Sequence, residues 1–251
     1  MATCVQESAE EKQQMTRQTP KIVGNQSWRN LLFVHWRVAP AELQLLLPDG
    51  LEIETYDGTA WLGLVPFSMQ KVRPWWSPPV PGISWFLETN IRTYVRHASG
   101  QTGVWFLSLD ANHRLAVSIA RTFWHLNYIY ASLQMTVQGD LLNYTGTRGQ
   151  KPGQYSISAN IDSSSVSVTA AKGTLDEFLL ERYHLFAQRP DGRFLLGQVH
   201  HEPYRFQQVV NSSISQSMTT AQGCPIMLGD PPDHIVYSEG VDVGVSPLQL
   251  H

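Results

Sequence analysis

Short runs of alternating apolar and polar residues, each interrupted by proline or glycine, dominate this chain of 251 residues. Successive side chains of a strand point to opposite faces, so runs of this kind bury their apolar faces in a sheet. Only a few segments have apolar residues at helical spacing. The pattern therefore predicts a β-rich α+β fold of mostly antiparallel strands with a few short helices.

The predicted elements follow the chain in order. Strands are expected at 29–38, 61–69, 83–96, 103–110, 195–199, 204–212 and 241–245, and β-hairpins at 133–145 and 154–171. Helices are expected at 41–47 and 115–124, and after Thr174, which forms a capping box with Glu177. Leu115, Ile119 and Phe123 form the apolar stripe of the second helix. Residues 74–82, with four prolines and two tryptophans, predict a loop that acts as a lid or packing flap.

Composition limits the classes of function. Hydrophobic residues make up 42% of the chain and charged residues 16%, which predicts one folded domain over residues 21–251 after a frayed polar tail at 1–20. A net charge of -3 argues against nucleic acid as a partner. The chain contains no apolar run long enough for a membrane span and only two cysteines, Cys4 and Cys224, which favours a cytoplasmic location.

Nothing in the sequence indicates a cofactor or a metal ion. The motifs of nucleotide-binding loops, zinc proteases and serine hydrolases are missing. His200 and His201 are adjacent strand residues that point to opposite faces, so they cannot chelate one ion together.

The most informative segment is the polar face of the predicted strand 83–96. A period of two places Glu88, Asn90, Arg92, Tyr94 and Arg96 on one face. One interpretation is a half-buried strand whose polar side meets water. The other is a cavity wall, in which Arg92 binds a carboxylate and Glu88 moves a proton if burial raises its pKa.

Several motifs together resemble one family. They are Trp28-Arg29, His35-Trp36-Arg37, Leu47-Pro48-Asp49-Gly50-Leu51, Glu88-x-Asn90-x-Arg92-Thr93-Tyr94-Val95, the run from Gly103 to Ala111, Ala120-Arg121 and Glu181-Arg182-Tyr183. From about Trp28 to about Val245, the chain resembles the YqjF-like proteins of the acetoacetate decarboxylase-like superfamily. The resemblance implies a single domain built on a closed, cone-like β-barrel with a central ligand cavity, and relatives that assemble into larger complexes make a homo-oligomer an expectation.

The resemblance also suggests site residues. The superfamily's decarboxylases form a Schiff base on a buried lysine. Their catalytic arginine and glutamate match Arg29 and Glu88, whereas their lysine position falls on Tyr128, and a second glutamate has no match. The five lysines of this chain all lie near chain breakers or in the tail, so a Schiff-base decarboxylase is not expected.

Three hypotheses follow. The first is an acid–base enzyme of lyase, hydratase or isomerase type acting on a small organic acid or carbonyl compound. In it Arg29 and Arg92 anchor the anion, Glu88 is the acid or base, and Tyr128 polarises an oxygen. Asn90, Tyr94 and His35 complete the predicted binding site. Structural ion pairs are the competing interpretation for each arginine, including a pair between Asp110 and Arg121.

The second hypothesis is a non-catalytic binder of a small aromatic or apolar ligand. Its pocket would be lined by tryptophans 61, 75, 76, 85 and 105. The third is a scaffold whose outer surface serves oligomer contacts and whose cavity is filled by its own side chains.

Overall fold

Fifteen strands joined in one mixed sheet make up most of the computed structural model, which describes residues 21–149, 151–226 and 229–251. The strands are β1 (Gly24–Val38), β2 (Leu51–Ile53), β3 (Ala60–Pro74), β4 (Phe86–His97), β5 (Thr102–Ala111), β6 (Tyr128–Tyr130), β7 (Ser132–Gln138), β8 (Leu141–Thr147), β9 (Gln154–Ile161), β10 (Val168–Thr169), β11 (His184–Gln188), β12 (Phe194–His200), β13 (Arg205–Gln216), β14 (His234–Val245) and β15 (Gln249–Leu250). The helices are α1 (Pro40–Gln44), α2 (Arg114–Phe123) and α3 (Leu175–Leu180), with a 3₁₀ turn at Thr220–Gln222. The predicted β-rich fold is confirmed; the predicted tail at 1–20 lies outside the described residues.

The strands close into a ring. The hydrogen-bonded path runs β12-β11-β5-β4-β3-β1-β14, and β14 also pairs with β12 through Val199–Val245 and His200–Gly244. Most pairings are antiparallel, as expected, and β5 pairs in parallel with both β6 and β11. A second group, β13-β9-β8-β7, extends from β14.

The sheet is buried on both faces at its centre. Leu32 and Val34 of β1 join one core cluster, whereas Leu31 and Phe33 join another. Alternate residues of one strand therefore fill two separate cores, which explains the nearly continuous apolar run of this strand.

The predicted hairpin at 154–171 is wrong. β9 lies between β8 and β13, while β10 pairs with β13 instead of β9. Asp162 does form the expected turn, because its carboxylate accepts the backbone N–H of Ser164 at 3.1 Å. The chain leaves this turn toward a different strand, a long-range choice that local pattern cannot reveal.

Two apolar surfaces point outward instead of packing. α2 forms as predicted, but Leu115, Ile119 and Phe123 are exposed, Phe123 to 70%. In the loop after β3, Trp75 and Trp76 are 63% and 71% exposed. The helix and the loop therefore both expose large apolar side chains, and the role of the loop as a lid or packing flap stays a prediction.

No helix in the described part of the chain is long and apolar enough to cross a membrane. Cys224 is a buried free thiol, and burial raises its pKa to about 12. Cys4 lies outside the described residues.

Candidate active site

Glu88 and Tyr128 meet through a hydrogen bond, although 40 residues separate them in sequence. Glu88 lies on β4, opposite Phe67 of β3 and Ala111 of β5, and is 3% exposed. β6 pairs with β5 and places Tyr128 beside Leu109. The Tyr128 hydroxyl donates to Oε2 of Glu88 at 2.9 Å. Two of the three predicted catalytic residues are thus brought together.

Burial dominates the chemistry of this pair. Burial is the largest cause of a rise in the pKa of Glu88 from an ordinary 4.5 to about 8; the Tyr128 hydrogen bond opposes this rise and the nearby Asp110 carboxyl adds to it. Burial and the Glu88 carboxyl also raise the pKa of Tyr128 well above its ordinary value. At neutral pH Glu88 is therefore a protonated acid, and Tyr128 is a hydrogen-bond donor that does not ionise.

A buried ion pair lies next to this dyad. Both oxygens of Asp110 accept from Arg148, with Nε–Oδ2 at 2.6 Å and Nη2–Oδ1 at 2.7 Å, and Arg148 also donates to Ser108. Asp110 has no exposed surface and Arg148 is 3% exposed. The expected pair of Asp110 with Arg121 is therefore wrong. Residue spacing offered no signal for Arg148, because 38 residues separate the partners.

His35, Tyr94 and Arg92 form a second buried cluster. Nε2 of His35 lies 2.9 Å from the Tyr94 hydroxyl, and its Nδ1 lies 3.1 Å from Nδ1 of His234. Tyr94 and Arg92 both donate to the carbonyl of Leu179, each at 2.8 Å. Burial lowers the pKa of His35 well below its ordinary value, with further lowering by His234 and Arg92.

The cluster extends to the surface through a residue that the sequence did not indicate. Nε2 of His234 lies 2.9 Å from the Asp176 carboxylate on α3. His234 and Asp176 are 58 residues apart, and neither belongs to a recognisable motif.

The polar face of β4 thus contributes side chains to two separate clusters. Glu88 and Arg92 are four positions apart along the strand, which corresponds to about 13 Å between their Cα atoms. The charge of Arg92 acts on the pKa values of His35 and Tyr94, whereas the pKa of Glu88 responds to Tyr128 and Asp110. Joint binding of one small acid by Arg92 and Glu88 therefore stays a prediction, and the ligand would have to span the distance between the two clusters.

Unpaired polar atoms remain along this face. Asn90 lies between the two clusters and its buried Oδ1 has no hydrogen-bond partner; the Nε of Arg92 is likewise unpaired. Buried polar atoms are usually satisfied, so these two atoms mark positions for a ligand or water.

Arg29 does not join the dyad. Its guanidinium donates to the carbonyls of Val241 at 2.7 Å and Trp28 at 2.9 Å, and it forms an ion pair with Asp242. Asp242 is 76% exposed, so this pair faces solvent at the sheet surface. The competing interpretation, a structural ion pair, describes Arg29 correctly.

The remaining expectations concern lysine, tryptophan and metals. Lys21, Lys71, Lys151 and Lys172 are all exposed, so none of them is a buried amine; Lys12 lies outside the described residues. The tryptophans do not line one pocket, since Trp61 is 2% exposed while Trp75 and Trp76 point outward. The described residues contain no group of three or more His, Cys, Asp or Glu side chains that could hold a metal ion.

Tyr128 connects the dyad with the surface. The residue is only half-buried, although its hydroxyl is enclosed beside Glu88. Part of Tyr128 lines a surface cleft of about 470 Å³. Such a volume lies within the range of small-molecule sites.

Comparison with known structures defines the class of fold. Acetoacetate decarboxylase from Legionella pneumophila aligns with a TM-score of 0.67 and 12% identity, over 95% of this chain and 94% of that one. The enduracididine biosynthesis enzyme MppR, in complex with the condensation product of pyruvate and imidazole 4-carboxaldehyde, aligns with a TM-score of 0.63 and 13% identity, over 92% and 90%. The protein has an acetoacetate decarboxylase-like fold.

Sequence comparison then identifies the family. The chain belongs to the DUF2071 family, described as an uncharacterized conserved protein, whose profile matches residues 25–242. It is 37% identical over 224 residues to YqjF, an uncharacterized protein of Bacillus subtilis (strain 168), covering 89% of this chain and 90% of that protein. The resemblance inferred from the motifs is confirmed.

Proposed function

We propose that this protein is an acid–base enzyme acting on a small organic acid or carbonyl compound without a Schiff base. The observation that carries the proposal is the buried 2.9 Å hydrogen bond from Tyr128 to Glu88. A carboxyl group with a pKa of about 8 retains its proton at neutral pH and can transfer it to a bound substrate. Lyase, hydratase and isomerase reactions all use such a step.

The two residues take different roles. Tyr128 occupies Oε2 of Glu88, so Oε1 carries the transferable proton. When that proton moves to a carbon or oxygen of the substrate, the Glu88 carboxylate that forms keeps the hydrogen bond from Tyr128. The dyad is reset when the carboxylate regains a proton from product or water. Tyr128 is a donor throughout, because its pKa is raised.

Two further observations support the substrate class and the route. The exposed positions of the four described lysines favour a mechanism without an imine. MppR, which shares the fold, is known in complex with a condensation product of pyruvate, and this favours a small keto acid.

Deuterium exchange tests the chemistry without knowledge of the full reaction. Proton NMR in D₂O follows exchange at the carbon next to the carbonyl of pyruvate or acetoacetate. We expect the protein to accelerate exchange, because Glu88 protonates the carbonyl oxygen while water takes the proton from the neighbouring carbon, and the enol that forms takes up deuterium when it returns to the ketone. Glu88→Gln should reduce the rate by about 10²- to 10⁴-fold, the usual contribution of a positioned acid or base. Tyr128→Phe should also slow exchange, whereas Tyr183→Phe, whose hydroxyl donates to Glu181 and which belongs to neither the dyad nor the cleft, is the matched control.

The outcomes separate the hypotheses. Exchange that survives Glu88→Gln unchanged contradicts the proposal. Binding of a keto acid without exchange identifies a non-catalytic binder. Covalent trapping of a keto acid on a lysine by borohydride indicates the decarboxylase route instead.

The pH profile provides an independent prediction. If protonated Glu88 is the acid, kcat/KM stays level below pH 8 and falls as pH rises through about 8, because the carboxyl group loses its proton. Exchange rates measured from pH 5 to 10 check this. A profile that rises through pH 8 would contradict the role of acid and assign Glu88 as a base.

A further inference from the structure

The cleft beside Tyr128 carries a concentration of positive charge. Four cationic side chains line it, Arg114, Arg121, Arg148 and Lys151, and its lining contains no carboxylate. The chain as a whole has a net charge of -3, so the positive charge of the cleft is opposite in sign to the net charge of the protein. A cleft lined by one sign of charge attracts ligands of the opposite sign.

Three of these cations are free to act on a ligand. Arg148 is neutralised by Asp110. Arg114, Arg121 and Lys151 form no ion pair with any residue that the structure describes, and all three are exposed.

Local structure places these groups together. Arg114 and Arg121 are seven residues apart on α2, two turns of the helix, and therefore share a face. Both also line an adjoining hollow of about 330 Å³, together with Val117 and Ser118 between them. Lys151 lies in the turn between β8 and β9 and lines the same cleft as Tyr128 and Tyr130.

Two structural details favour the binding of an anion in the cleft. The guanidinium of Arg114 lies 4.1 Å from the centre of the Tyr130 ring, a cation–π contact that limits the motion of the side chain. The cleft is also lined by the hydroxyl-bearing residues Ser132 and Thr147, which can donate hydrogen bonds.

We propose that this cleft binds a small organic anion carrying two or more negative charges, held by Arg114, Arg121 and Lys151. Carboxylate and phosphate groups share the required chemistry, since arginine binds either one through paired hydrogen bonds. The inference deepens the proposed function and rests on it for the link between cleft and dyad: an anion seated here lies against Tyr128, whose hydroxyl contacts Glu88.

Calorimetric titration tests the cleft directly. The probes are succinate with two carboxylates, butyrate of the same length with one, neutral butane-1,4-diol, and inorganic phosphate. We expect succinate or phosphate to bind at least about tenfold more tightly than butyrate, with affinity falling as salt rises, and no binding of the diol. The tighter of the two dianions identifies the anionic group.

Matched variants localise the binding. Arg121→Gln and Lys151→Gln should each weaken dianion binding by about tenfold. Lys172→Gln removes another exposed lysine, outside the cleft, and should leave the affinity unchanged. Thermal unfolding of each variant shows whether the fold is retained, which is expected because the substituted side chains are exposed.

The titration measures binding and not turnover, so the two proposals fail separately. The proposed anion site is contradicted if succinate and butyrate bind with equal affinity. It is also contradicted if both cleft variants still bind the dianion. If Glu88-dependent exchange is still found, the proposed function stands. Dianion binding that the cleft variants lose, without any exchange, supports the cleft and contradicts the acid–base function.

Discussion

Arg148 and Asp110 place opposite charges inside the protein at 2.6 Å, beside the Glu88–Tyr128 dyad. Burial raises the pKa of Asp110, and the guanidinium of Arg148 opposes that shift. A charge in such a position is tolerated only while its partner remains. The Asp110 carboxyl also contributes to the raised pKa of Glu88, although no sequence motif predicts the Arg148–Asp110 pair.

This arrangement predicts a large loss of stability from one substitution. Arg148→Met leaves the Asp110 carboxylate buried without a partner and should lower the free energy of unfolding by about 3 to 5 kcal/mol. Arg193→Met breaks an ion pair of similar length with Asp191 at the surface, where 55% and 42% of the side chains are exposed, and should lower the stability far less, because solvent screens the pair. Urea denaturation measures both. Equal losses would show that burial does not control the strength of the Arg148 pair.

At the scale of the strand, β3 supplies a glycine where β1 and β4 bring large side chains together. Gly63 lies opposite His35 on one side and Arg92 on the other. A Cβ atom at this position would lie 3.0 Å from the His35 ring and 3.3 Å from Cγ of Arg92. The missing side chain therefore makes room for the second buried cluster.

Gly63→Ala should consequently destabilise the protein by about 1 to 3 kcal/mol, because the fully buried imidazole of His35 would have to shift away from the new methyl group. Gly149→Ala is the control, since a Cβ atom there meets nothing within 4 Å. Thermal unfolding compares the two variants. A stable Gly63→Ala protein would mean that the His35 ring adjusts at little cost.

Most strands could be predicted because a period of two is a local property of the chain. The strands at 29–38, 61–69 and 103–110 lie within β1, β3 and β5. Pairing was less predictable: the hairpin at 154–171 was wrong because β10 joins β13, more than 30 residues away. The helix at 115–124 formed, but the environment of its apolar stripe depends on parts of the chain that local spacing does not describe.

At the scale of the whole molecule, the closed ring of strands holds an ionisable carboxyl group in its interior. The folded state keeps Glu88 protonated up to about pH 8, whereas the unfolded chain releases that proton near 4.5. The folded state therefore binds more protons between these values, and stability falls as pH rises. The contribution is complete below pH 4.5 and is lost as pH rises through 8.

Comparison with Glu88→Gln isolates this effect from all other titrations. The stability of the natural protein relative to the variant should fall by about 1.4 kcal/mol for each pH unit between 4.5 and 8, or about 5 kcal/mol in all. Chemical denaturation of both proteins at pH 5, 6.5 and 8.5 provides the measurement. A difference independent of pH would place the Glu88 carboxyl in contact with solvent.

The sequence by itself determined the strand-rich fold, the family and two members of the dyad, because alternation and motifs are written in neighbouring residues. Glu88 and Tyr128 were named from motif spacing, and the fold brings them within 2.9 Å. Only the tertiary structure decided which charges became partners. Arg29 forms an ion pair with Asp242, Arg92 donates a hydrogen bond to the carbonyl of Leu179, and Asp110 forms an ion pair with Arg148. Each of these contacts joins residues 38 or more positions apart, and their formation depends on which strands lie side by side and on how much water each group loses, neither of which local sequence records.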